Sequence, residues 1–146
     1  MQVERTFSVP GSVESVFDYL ADFTHTNDWD PGTLETRRTS GDGGIGTTYA
    51  NRSEFLGRET ELTYETITHE RPIHLQFRGT NKTATATDSL TFSPVGDGAS
   101  TQVHYRADFE FRFPVSLVAP LVVKPKLDKL ADDTVDQLSK CLETLP

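Results

Sequence analysis

Residues Leu127–Leu145 read LDKLADDTVDQLSKCLETL. The apolar side chains Leu127, Leu130, Ala131, Val135, Leu138, Leu142 and Leu145 recur in steps of three and four. That spacing gathers them on one stripe of an α-helix. Asp128, Lys129, Asp132, Asp133, Asp136, Lys140 and Glu143 form the solvated opposite face. No other long stretch of the chain has this period. A long helix with a single apolar stripe has to bury it against a broad apolar surface. Almost everything before it alternates with the period of a strand, so that surface is predicted to be a sheet. The flank at Val115–Val123 differs, being apolar nearly all round and interrupted by Pro120, with Pro125 just beyond.

Moving outward, residues 100–113 carry the clearest alternation. Val103, Tyr105, Ala107, Phe109, Phe111 and Phe113 share one face, and His104, Arg106, Asp108, Glu110 and Arg112 share the other. One buried and one wet face suit an antiparallel sheet. Gly96-Asp97-Gly98 before it is a hairpin turn. Earlier strands are predicted at 33–40, 46–55, 59–69, 73–78 and 84–93. Gly41-Asp42-Gly43-Gly44, Gly57-Arg58, Arg71-Pro72 and Asn81-Lys82 punctuate them. At the start, Val3, Arg5, Phe7 and Val9 alternate with Glu4, Thr6 and Ser8 until Pro10-Gly11 breaks the strand. Ser12 caps a short amphipathic helix carrying Val13, Val16, Phe17 and Leu20. Asp22–Trp29 suits a second short helix or turn, ended by Asp30-Pro31-Gly32.

The loops are too short for parallel crossovers, so the strands are predicted to run as an antiparallel meander. The result is an α+β architecture: seven strands curved around one long helix, with two short helices after the first strand. One helix cannot fill such a sheet along its whole length, so a cavity is expected between them.

The chain has 146 residues, read as a single domain, 1–146, large enough for a real core. A net charge of −8 argues against general affinity for nucleic acid or anionic membrane. No apolar run approaches the ~20 residues of a membrane span, so no stable membrane insertion is expected. The N-terminal MQVERTFSV alternates rather than forming a signal core, and the expected location is the cytoplasm. Cys141 is the one cysteine, which excludes an intramolecular disulfide and a cysteine zinc cluster.

Gly41, Gly43 and Gly46 spell GxGxxG. A dinucleotide site needs a helix after the glycines, whereas TTYANRSEF follows and reads as strand, so the motif is a hairpin loop. His25, His69, His74 and His104 form no metal-ligand spacing, and no nucleophile elbow is present. No metal or cofactor is expected. His25 beside Trp29 is either a surface residue or part of a cavity mouth.

The order of elements resembles the START-like (helix-grip, SRPBCC) superfamily, and locally its polyketide cyclase/dehydrase-like branch. The residues that carry the resemblance are Val9-Pro10, Val16-Phe17-Asp18-Tyr19-Leu20, Trp29-Asp30-Pro31-Gly32, Leu62-Thr63-Tyr64-Glu65, Glu70-Arg71-Pro72 and Gly96-Asp97-Gly98. They span essentially the whole chain. The resemblance implies a helix-grip fold with a deep apolar cavity between sheet and C-terminal helix. It does not choose among lipid carriers, hormone-binding proteins and cyclases. It also places Val115–Val123 at the cavity's wall or mouth, with Leu117, Leu121 and Val122 as candidate gate residues.

Arg5 and Asp88 sit in the apolar phase of their strands. An inward charge is costly unless paired or wet. Each is therefore either solvated or structurally paired, or else it orients a ligand's polar end or moves a proton. Tyr49, Tyr64, Phe77, Tyr105 and Phe109 fall in inward phases, to be shared between core packing and cavity wall. Asn51 is in phase with Tyr49, and Trp29 either plugs the short-helix corner or edges the entrance. The favoured function is binding of a small hydrophobic or amphipathic ligand, lipid-like or polyketide-like. The alternatives are a cyclase/dehydratase-type enzyme and a protein-interaction module with a filled interior.

Overall fold

Seven strands pair into one antiparallel sheet in the order β1-β7-β6-β5-β4-β3-β2. The structure, a computed structural model, describes residues 1–55, 57–112 and 119–144, with the side chains of 119–122 outside that set. The strands are β1 (Gln2–Pro10), β2 (Thr33–Ser40), β3 (Thr48–Phe55), β4 (Arg58–Glu70), β5 (His74–Thr80), β6 (Ala84–Val95) and β7 (Ser100–Phe111). Between β1 and β2 lie α1 (Val13–Ala21), one 3-10 turn (Phe23–His25) and α2 (Thr26–Trp29); the long helix is α3 (Ala119–Glu143). This is the helix-grip arrangement. The meander runs from β2 to β7, and β1 closes against β7 rather than against its sequence neighbour. Register shifts between Thr66 and Thr68 on β4, and within the β2–β3 pair, insert extra residues that bend the sheet. Among the described residues no helix is long and apolar enough to cross a membrane.

Ser12 caps α1, its hydroxyl accepting from the Ser15 amide at 3.2 Å. Helix α3 begins at Ala119 and contains Pro125, so it takes in both prolines rather than starting after them. Pro120 stands at the second helical position, where an amide has no intrahelical partner to lose. Pro125 does remove one intrahelical bond.

The stripe on α3 meets two different surroundings. Leu138 and Leu142 join Val9, Val16, Phe17, Leu20, Phe23, Leu75, Leu90, Phe92 and Val103 in a packed core. Val123, Leu127 and Ala131 join Val3 and Ala107 in a smaller buried cluster, flanked by the half-buried Met1, Phe55, Tyr105, Phe109 and Phe111. The first core lies at the end of the sheet closed by α1 and by the β4–β5 and β6–β7 turns. The second lies at the opposite end, where β3 meets β4, β5 meets β6, and β7 terminates. Leu145 lies outside the described residues.

The GxGxxG stretch is the β2–β3 loop. Gly46 donates to the Thr66 carbonyl at 2.9 Å and Gly43 to the Thr47 hydroxyl at 2.8 Å. A strand follows it, not a helix.

Candidate functional site

Small side chains replace large ones at inward positions beyond Asp88 on β6, and at single positions on β5, β7 and α3. Along β6 the inward positions run Phe92, Leu90, Asp88, Ala86, Ala84, with Ala107 facing Asp88 on β7. On β5 the position beside Ala86 is Gly79, and α3 contributes Ala131. Small side chains at these positions leave the helix and sheet apart. The space between them is a cavity of about 600 Å³, well within the range of small-molecule sites. Its wall is mainly apolar, including Val3, Phe55, Leu62, Phe109, Phe111, Val123, Leu127 and Leu130.

Four polar groups on separate elements meet in this cavity: Asp30 after α2, Tyr64 on β4, Asp88 on β6 and Tyr105 on β7. The Tyr105 hydroxyl donates to Asp88 Oδ1 at 3.2 Å. Among the described residues Oδ2 of Asp88 has no partner, and neither does the Tyr64 hydroxyl, although Asp88 and Tyr64 are each only 9% exposed. Both residues line the cavity, so these polar atoms are open to whatever fills it. Asp30 is better satisfied. Its Oδ1 accepts from the Gly32 amide at 3.0 Å and its Oδ2 from the Thr33 hydroxyl at 2.9 Å.

Burial dominates the proton equilibria here. It pushes the Asp88 carboxyl up to about 7; the negative charge of Asp30 adds to this, and the Tyr105 hydrogen bond opposes it. Asp30 is likewise raised by burial, against the pull of Gly32 and Thr33. Burial, followed by the charges of Asp88 and Asp30, holds both Tyr64 and Tyr105 well above the usual phenol range. Near neutral pH both tyrosines are therefore hydrogen-bond donors, while Asp88 exchanges between acid and carboxylate.

Tyr64 is held in place by its neighbours. Its register partner is Gly79. A Cβ added there would stand 2.6 Å from Tyr64 Cζ, so only glycine lets the ring lie flat across the strand. Phe23 covers the ring from the packed side, centroid to centroid 4.5 Å.

The other expected site residues go elsewhere. Phe109 lines the cavity, but Phe77 and Tyr49 are fully buried in the packed core, in contact with Phe23. Asn51 spans strands instead, donating to the Thr36 hydroxyl at 2.8 Å. Trp29 is buried in the packed core and does not line the cavity. Arg5 does sit in the inward phase, yet β1 is an edge strand and α3 lies over it. Its guanidinium passes the helix to reach Asp132 Oδ1 at 2.8 Å and the Asp128 carbonyl at 3.2 Å. It is a strand–helix tie outside the cavity. Leu117 lies outside the described residues, and of Leu121 and Val122 only the helical backbone is described.

His25 does not reach the cavity. It stacks on Tyr19 with centroids 4.2 Å apart, and its Nδ1 lies 2.6 Å from the Tyr19 carbonyl. Among the described residues no three His, Cys, Asp or Glu side chains gather as metal ligands would. Asp30 is the site residue that sequence reasoning missed, because Asp-Pro-Gly reads first as a turn. Gly79 gave no signal, because it falls just past the strand predicted at 73–78; the observed strand runs on to Thr80 and puts the glycine inside it, where it allows close approach of another group.

The profile of the family described as "Polyketide cyclase / dehydrase and lipid transport" matches residues 1–143. No curated protein matches the chain in sequence. An aromatase/cyclase from a Streptomyces species is similar in structure, with TM-score 0.82 at 15% identity, covering 98% of this chain and 93% of that one. A START superfamily protein from Mycobacterium smegmatis gives 0.73 at 18% identity, covering 99% of both. Norcoclaurine synthase from Thalictrum flavum gives 0.67 at 18% identity, covering 99% of this chain and 87% of that one. At these identities the likeness is one of fold.

Proposed function

Because the chain belongs to the polyketide cyclase/dehydrase and lipid transport family, we propose that its cavity binds a small amphipathic molecule, lipid-like or polyketide-like. The molecule's body lies along Val3, Leu62, Ala86, Phe109, Leu127 and Leu130, and its polar end reaches Tyr64, Asp88 and Tyr105. One observation carries this reading: about 600 Å³ of mainly apolar space ends on the Tyr64 hydroxyl and Asp88 Oδ2, which have no hydrogen-bond partner among the described residues. A cavity of that size also weighs against an interaction module with a filled interior.

A second reading has its own support. A carboxyl held near 7 beside a donating phenol suits proton transfer to and from a reactive chain folded in the pocket, as cyclisation or dehydration requires. In this reading Asp88 exchanges the proton and Tyr64 and Tyr105 hold a developing oxyanion.

Native mass spectrometry of the protein purified from its own organism tests the binding reading. The expected result is a retained small molecule that is absent from Ala86→Leu, whose larger side chain occupies the cavity. A folded protein that retains nothing and takes up no apolar fluorophore would refute it. If the retained molecule is converted over time, and Asp88→Asn keeps binding but stops conversion, the enzyme reading prevails.

A further inference from the structure

We propose that the cavity selects an amphiphile with a protonated amine at its polar end and rejects one that ends in a carboxylate. This rests on the binding role above and narrows its ligand class. The charges around the cavity carry the inference. Asp30, Glu54, Glu59 and Asp88 line it, and Arg58 is the one cation among the described lining residues. Arg58 begins β4 at the open end of the sheet, beside Glu59. The inner end holds Asp30 and Asp88 with no Lys, Arg or His among the described lining residues.

The groups facing Asp88 can be taken element by element. β4 presents Tyr64 and β7 presents Tyr105 and, further off, Asp108. The turn after α2 presents Asp30, while α3 presents Leu127, Leu130, Ala131 and Thr134. Thr134 spends its hydroxyl proton on the Leu130 carbonyl at 2.7 Å. The nearest cation in register is Arg5, paired across from Tyr105, and it is committed to Asp132. A carboxylate buried this way lacks the counter-charge that would offset its lost hydration. An ammonium group entering the cavity supplies that counter-charge and donates to the free Oδ2. A carboxylate head would instead meet two carboxyls at close range, a juxtaposition that disfavours the wrong partner.

The test uses three ten-carbon probes of one length: decylamine, decanol and decanoate. Each displaces an apolar fluorophore from the full chain at pH 8, below its micelle concentration. Decylamine is expected to bind tightest and at least about tenfold tighter than decanoate, a gap of ~1.4 kcal/mol. In Asp88→Asn the gap should close to within about threefold. Calorimetry near pH 7, in buffers of differing ionisation enthalpy, should show proton release on decylamine binding, because the ammonium favours the ionised form of Asp88. Decanoate binding as tightly as decylamine, or a gap unchanged in Asp88→Asn, overturns the proposal. If none of the three displaces the fluorophore, the binding role itself fails and this inference falls with it.

Discussion

The two ends of this molecule share one sheet and one helix but differ in what fills them. At the closed end, Phe17, Phe23, Tyr49, Phe77 and Phe92 interlock with Leu138 and Leu142 of α3. At the open end, Ala84, Ala86, Ala107, Gly79 and Ala131 occupy equivalent inward positions, and the volume they leave is the cavity. The strands continue unbroken from one end to the other. Side-chain size and polarity change, so fold and function draw on different stretches of the same elements. The closed end supplies the burial that holds helix to sheet. The open end gives up that burial and keeps buried carboxyls that a stability-driven interior would exclude.

Removing equal volumes at the two ends tests the contrast most strongly. Leu138→Ala at the closed end should cost about 4 kcal/mol, because it opens a new hole in close packing, and Leu127→Ala about 2 kcal/mol, because it only widens an existing space. Denaturant midpoints at constant slope measure both. Equal losses would mean that the two ends are packed alike. Next in size, Gly79→Ala should cost about 3 kcal/mol through the clash with the Tyr64 ring. It should also reduce fluorophore uptake, since the displaced ring must turn into the cavity. A loss of stability with uptake intact would place the ring's escape elsewhere.

Asp88 gives a smaller effect with a definite pH sign. Its folded-state value of about 7 lies above the ordinary 3.8. The folded chain therefore holds the proton more tightly than the unfolded chain between those limits, and stability falls as pH rises through them. Asp88→Asn should thus be more stable than the parent at pH 8, by on the order of 2 kcal/mol, and about equal to it at pH 4. Thermal melts at the two pH values read the difference. A variant less stable at pH 8 would show that the carboxylate is structurally paired. The smallest effect belongs to Arg5→Ala. Its pair with Asp132 is largely solvated, at 30% and 67% side-chain exposure, so the change should stay below about 1 kcal/mol and leave the cavity probes unaffected.

The fold was readable from a few segments because their periods are long and clean. The stripe from Leu127 to Leu142 and the alternation of β7 both need a sheet packed on a helix. The site was readable only where one strand's phase sufficed. Phase alone turns Asp88, Tyr64 and Tyr105 inward, and they do line the cavity. Phase also turns Arg5 inward, but it does not say that β1 is an edge strand and that a long side chain there can slip past α3. The aromatic residues were harder to divide. Tyr49 and Phe77 share the phase of Tyr64 and even its level, since Tyr49 pairs with Tyr64 and Phe77 with Asp88; Phe23, carried over them by the 3-10 turn, packs on both rings, and no strand phase encodes that contact. Asp30 was hidden for another reason. It comes to face Asp88 from a turn 58 positions earlier in the chain, and no local pattern encodes that meeting.

One further consequence attaches to the Tyr64 ring. Pressed against Gly79 and covered by Phe23, it loses its rotameric freedom when the chain folds. A guest that takes the hydroxyl's hydrogen bond meets a donor already immobilised, so little entropy remains to be lost there on binding. Side chains hung loosely around an equal volume would each forfeit freedom at that moment, about 0.5–1.5 kcal/mol apiece. The glycine opposite the ring thus acts on affinity without touching the guest, by moving an ordering cost from the binding step into folding.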